Sequence, residues 1–179
     1  MSREDEPASW LVLAYRVPGE AARLRMSVWR RLKAAGAVYL VNSVAALPAA
    51  PAAERLVRRL RSDVSRAGGS AQLLRAGPLA GGADLAGLYN AARDDEYAQI
   101  IAGCDELLGT IGPWAASRPS PADLAAGERE LARLARWHEK ARARDAFGAR
   151  QAESAAAAVA KCAGALDSLT GAVANRAAP

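Results

Sequence analysis

The chain has 179 residues, a formal net charge of +5 and nine aromatic residues, four of them Trp. That length allows one domain or two small ones, with enough interior for a real core. The basic balance is compatible with a nucleic-acid partner without requiring one. No stretch approaches the roughly 20 apolar residues of a membrane span, and the opening MSREDEPAS lacks the apolar segment of a secretion signal, so a cytoplasmic protein with no membrane partner is expected.

Residues 1–8 read as a polar tail. Residues 10–17 form an apolar run, polar only at Tyr15 and Arg16, as in a buried central strand. Pro18 and Gly19 end it. Residues 20–35 read as a helix whose core stripe is Leu24, Val28, Leu32 and Ala35. Arg23, Arg30 and Lys33 lie on another face, flanked by Arg25 and Arg31, and Gly36 fits the C-cap. Residues 38–47 are the second extended segment. Asn42-Ser43 interrupts it, which predicts a bulge, a bend or a tight turn between two strands.

A short Ala/Pro connection leads to a second helix over residues 53–67. Leu56, Val57, Leu60 and Val64 form its apolar face, and Arg55, Arg58, Arg59, Arg61 and Arg66 make it basic. Gly68-Gly69 end it, and residues 70–76 read as another strand. The order βαβ(β)αβ predicts the α+β class, with a ferredoxin-like N-terminal half over residues 1–76. Residues 77–88, rich in Gly, read as a linker. Residues 89–179 read as a helical hairpin or bundle of three helices, over 89–110, 121–147 and 151–173. Ser120, Pro121 and Asp123 form a strong start for the middle one. Its Leu124, Gly127, Leu131, Leu134, His138 and Ala141 follow near-heptad spacing.

Catalytic motifs are missing: there is no dinucleotide fingerprint, Walker loop, zinc-protease helix or nucleophile elbow. A non-enzymatic protein with no cofactor and no metal is expected. Cys104 and Cys162 lack CxxC spacing and His138 is the only His, so a zinc site is not expected. Buried free thiols are the expectation, with a disulfide left open. Asp94, Asp95 and Glu96 read as a solvated helix N-terminus rather than a metal site, and His138 as a packed or half-exposed side chain. The charges from Glu128 to Arg150 alternate in sign, as in i,i+4 pairing along a helix surface.

The basic helices carry the functional signal. Arg23, Arg25, Arg30, Arg31 and Lys33 fall within eleven residues, and Arg55, Arg58, Arg59 and Arg61 within seven, with no acid in either group. A one-sign cluster suits phosphates or oxyanions, because the Arg fork binds them in two places at once.

The segment WLVLAYRVP, with LRMSVWRRLKAAGAVYLVNSVAALP behind it, resembles the N-terminal domain of the ChrB family of chromate-resistance regulators. The similarity continues through YNAARDDEYAQIIAGCDELL and ERELARLARWHEKARARDAFGA, so it covers about residues 9–175. The resemblance implies a cytoplasmic transcriptional regulator of a chromate-efflux operon that binds DNA through its basic N-terminal portion. The second ChrB domain, a candidate place for chromate sensing, has no counterpart in this sequence, so DNA binding is expected and chromate sensing is not assured.

The first half is also weakly similar to the middle domain of PaaX-type repressors and to the CRISPR spacer-acquisition nucleases. In the nucleases an Asp at the end of the first strand binds metal; the matching position here is Arg16, and a cation cannot replace that ligand. Nuclease activity is therefore not expected. Arg16 becomes the candidate for a specific base or oxyanion contact, with Arg23, Arg25, Arg30, Arg31, Lys33, Arg55, Arg58, Arg59 and Arg61 as phosphate contacts. A homodimer on an operator, with an oxyanion as candidate effector, completes the expectation. The alternatives are an oxyanion or chromate stress protein without DNA binding, and an interaction module that exposes an apolar stripe over residues 121–147.

Overall fold

A computed structural model describes residues 9–77, 80, 82–117 and 119–177; the tail expected at residues 1–8 lies outside them. The chain divides into two compact units, residues 1–89 and 90–179.

The first unit runs β1 (Trp10–Arg16), α1 (Ala22–Ala34), β2 (Val38–Val41), β3 (Val44–Pro48), α2 (Pro51–Arg66) and β4 (Ser70–Ala76). The four strands form one antiparallel sheet in the order β2-β3-β1-β4. This β-α-β-β-α-β order is the one that the ferredoxin-like expectation requires. β1 is central, as its apolar run implies: Val12 is flanked by Ala46 on one side and Leu74 on the other.

Alternation along β1 sorts its side chains between the two faces. Leu11, Leu13, Tyr15 and Val17 share a core with Val28 and Leu32 of α1 and with Val57, Leu60 and Val64 of α2. Both helices therefore cover one face of the sheet. Leu24, Ala35 and Leu56, also expected in the stripes, pack against that core half-buried. Asn42-Ser43 is a tight turn between β2 and β3, with Ser43 at φ 64, and the register shifts beside it between Tyr39 and Val41. α2 starts two residues earlier than expected, because Pro51 sits in its first turn behind an extended Ala50.

α3 (Gly82–Ile111) corrects the linker expectation. Seven of the residues assigned to the linker, 82–88, are helical; residues 78, 79 and 81 lie outside the described set. Glycine content argued for a loop, but tertiary packing decided the outcome. Tyr89 packs edge-on against Trp10, with ring centroids 5.9 Å apart and both residues buried. Asp84 also favours the first turn through the helix dipole.

The second unit contains the rest of α3, a short 3₁₀ turn (Gly112–Ala115), α4 (Pro121–Arg142) and α5 (Ala152–Ala177). The Ser120 side chain accepts from the Asp123 amide while Asp123 reaches back to the Ser120 amide, a complete capping box. α4 ends at Arg142, five residues before the expected 147. There the Asp145 carboxylate accepts from the Ala149 amide at 3.0 Å and organises a loop in its place. Tyr97, Ile100, Cys104, Leu107 and Ile111 of α3, Leu134 and Ala141 of α4, and Ala155, Cys162 and Leu166 of α5 form the core. Gly127 allows close helix packing, since a Cβ there would meet Leu166 Cδ2 at 3.1 Å. No helix among the described residues is long and apolar enough to cross a membrane.

Candidate nucleic-acid interface

Burial of one stripe on each of α1 and α2 sends the opposite stripe to solvent. On α1 this exposes Arg23, Arg25, Arg30 and Lys33; on α2 it exposes Arg55, Arg58, Arg59, Arg61 and Arg66. The two helices are joined by Arg31, whose Nη1 donates to Asp63 Oδ2 at 2.8 Å. Arg66 also donates to Asp63. These two hydrogen bonds, Arg31 first, hold the Asp63 carboxyl below the usual carboxylate range.

A second shared acid is Glu54. It accepts from Arg58 and, across to β4, from Arg75, each at 2.7 Å. The Arg58 hydrogen bond is the main reason that the Glu54 carboxyl also sits low. Arg25 donates to the Pro18 carbonyl at 3.1 Å. Arg16, Arg23, Arg30, Lys33, Arg55, Arg59 and Arg61 have no carboxylate partner among the described residues. Residues 9–77 hold twelve Lys and Arg against Glu20, Glu54 and Asp63, a net of +9. The positive charge of the whole chain is therefore concentrated in this stretch.

The candidates do not all come together. Arg16 ends β1 on the strand face shared with Trp10, Val12 and Ala14, away from the Leu11–Leu13–Tyr15 face that α1 and α2 cover. Its backbone lies close to Gly69 and pairs with Ser70. Arg16 is exposed, but on the other side of the sheet from the helix cations. Arg31 and Arg58 are engaged with acids. Arg23, Arg30, Lys33, Arg55 and Arg59 are the cations left unpaired on the two helices' outer faces, with Arg61 beside them.

Arg61 also lines a cleft of about 370 Å³ between α2 and β4, together with Glu54, Arg58, Ser62, Gln72 and Arg75. Two exposed residues escaped the sequence analysis: Met26 and Trp29, on α1 among its cations. The signal was present, because neither belongs to the stripe of Leu24, Val28 and Leu32.

In the second unit the acidic triplet is not a solvated helix N-terminus. It sits well inside α3, because that helix begins at Gly82. Asp94 accepts from the Gln151 amide at 2.8 Å and faces Arg150 at 3.6 Å. Glu96 accepts from Trp137 Nε1 at 2.9 Å and from Arg144, and faces Arg93. Only Asp95 is exposed. His138 is buried, its ring 6.1 Å from that of Tyr97. On α4 the expected surface pairs form at i,i+3, between Arg133 and Glu130 and between Arg142 and Glu139. The exposed large apolar residues described lie on α1, β2, β4 and α3, and none on α4. The exposed stripe required of an interaction module over 121–147 is therefore not found there.

Residues 25–178 match the family model described as Protein ChrB, N-terminal. The chain belongs to the ChrB N-terminal family. The match takes in most of α1, all of α2 and nearly all of the second unit, while Arg16 and Arg23 precede it. The family makes this a protein of the chromate-resistance regulator type. Comparison with curated proteins and with solved structures finds no match.

Proposed function

We propose that this ChrB-family chain is a cytoplasmic, non-catalytic transcriptional regulator that binds the operator of a chromate or related stress operon through α1 and α2. The observation that carries the proposal is the one-sign outer face of the two helices: Arg23, Arg30, Lys33, Arg55 and Arg59 have no carboxylate partner among the described residues. Desolvating such cations favours an anionic partner, and releasing counterions from a duplex supplies the affinity. Packing on one face of the sheet sets the spacing of the two helices and the Arg31–Asp63 bond ties them together, so the cations would meet a backbone as a set. Two copies on a two-fold operator would double the contacts.

The test is fluorescence anisotropy with labelled promoter duplex over a salt series. The logarithm of the binding constant should fall linearly with the logarithm of salt, with a slope of about 0.9 per phosphate neutralised. No binding at low salt would remove the proposal.

The α2–β4 cleft favours a second reading, an oxyanion effector. Three guanidinium groups, from Arg58, Arg61 and Arg75, line the cleft with Ser62 and Gln72, and its one carboxylate, Glu54, pairs with Arg58 and Arg75 but not with Arg61. Calorimetric titration with chromate and with sulfate tests it: heat of binding that disappears in Arg61→Ala supports an oxyanion site, and no heat removes it.

A further inference from the structure

α1 carries two large apolar side chains next to each other on its solvent face. Met26 is 51% and Trp29 43% exposed. With Arg30 and Lys33 they follow i, i+3, i+4, i+7 spacing, so the four share one face, and Arg23 stands one turn before Met26. Neither Met26 nor Trp29 joins the core that α1 shares with the sheet. The outer face of α2 differs: Arg55, Arg58, Arg59, Ser62 and Arg66 populate it without any large apolar residue.

Phosphate binding needs cations alone, and α2 provides them. An exposed Trp and Met do nothing for a phosphate. Ringed by Arg23, Arg30 and Lys33, however, they are placed to go deeper than the backbone. The cations can neutralise phosphates on either side while the apolar pair meets what lies between, a thymine methyl group or a base step. Charge complementarity selects the occupant, since the surrounding stretch of residues 9–77 carries +9.

We propose that Met26 and Trp29 are the base-contacting side chains of α1, so that α1 reads duplex DNA while α2 holds its backbone. The inference rests on the DNA-binding reading above.

The experiment measures the full chain against the promoter duplex, a random duplex and the promoter single strand. Trp29→Ala and Met26→Ala should each lower affinity for the promoter roughly tenfold. They should leave the random duplex and the salt slope unchanged, so that discrimination collapses. Trp29→Phe should keep part of it. Arg59→Ala should weaken both duplexes alike and reduce the slope by about 1.

Equal weakening of both duplexes by Trp29→Ala, or no change in either, overturns the inference while leaving DNA binding standing. Tighter binding to the single strand than to the duplex, with fluorescence quenching lost in Trp29→Phe, overturns the duplex as occupant. A wild-type chain that binds no duplex at all overturns the DNA-binding reading itself.

Discussion

Arg31 on α1 donates to Asp63 on α2 at 2.8 Å, and this bond consumes the acid that lies between the two cationic helices. The same carboxylate also takes Arg66. Asp63 thus joins α1 to α2 and lowers the charge that a polyanion would meet.

Replacing Asp63 by Asn should therefore move stability and binding in opposite directions. Stability should fall by up to about 1 kcal/mol, since the pair is partly exposed. DNA affinity should rise and the salt slope steepen, because Arg31 and Arg66 are released. The pH dependence has a definite sign. The folded-state carboxyl is held low by Arg31 and Arg66, so its contribution is complete above the unfolded value of about 3.9 and is lost as pH falls through the lower folded value. Thermal melts from pH 7 to pH 2 should show a shallower acid limb in Asp63→Asn; an unchanged limb would mean that the bond does not form in solution.

Gly69 has no room for a side chain. A Cβ there would lie 2.4 Å from the Arg16 carbonyl oxygen and 2.8 Å from Val64 Cγ1. The obstruction is largely backbone, which cannot swing aside. Gly69→Ala should cost about 1–3 kcal/mol, read by urea melts. Gly68→Ala meets no neighbour within 4 Å but stands at φ +76, so its cost should be smaller, about 1 kcal/mol. Equal tolerance of both substitutions would contradict the α2–β4 turn described.

Glu96 gathers Trp137, Arg144 and Arg93 around one carboxylate whose side chain is 17% exposed. Glu96→Gln keeps the shape and removes the charge. Breaking a largely buried pair in this way should destabilise by about 3 kcal/mol. Glu130→Gln, at an exposed pair with Arg133, should cost under about 1 kcal/mol. Similar losses in the two variants would mean that the Glu96 cluster is not buried.

Periodicity made the first unit legible. Val28 and Leu32, and Val57, Leu60 and Val64, announce their helices, and the apolar run from Trp10 announces a central strand. The pairing of cations was only half legible. The lack of acids near Arg30 can be counted along the chain, but Asp63, four residues after Arg59, goes instead to Arg31 across 32 residues, and no local pattern records that. The start of α3 was hidden for the same reason, because Tyr89 anchors it on Trp10, far away in sequence. The acidic triplet misled because its solvated reading assumed a helix beginning near Tyr89. Arg16 is singled out in the sequence because it stands where the similar nucleases carry a metal-binding Asp, yet the period of two in β1 puts it on the sheet face opposite the helix cations.

Cys104 and Cys162 close the core of the second unit as free thiols, with the Cys162 thiol directed at the Cys104 carbonyl at 3.3 Å. Burial pushes the Cys104 thiol up to about 12, and the neighbouring Cys162 adds to the rise. Burial also raises Cys162. A thiol attacks disulfide reagents only as the thiolate, so both groups should be silent in the folded protein at pH 8, for lack of charge and lack of access alike. Ellman's reagent should find no rapidly reacting thiol in the native chain and two after unfolding in guanidinium. Reaction in the native state should be slowed, relative to the unfolded chain, by the free energy of opening the core. A Cys that reacts in the native state as fast as in guanidinium would show that the helical core does not enclose it.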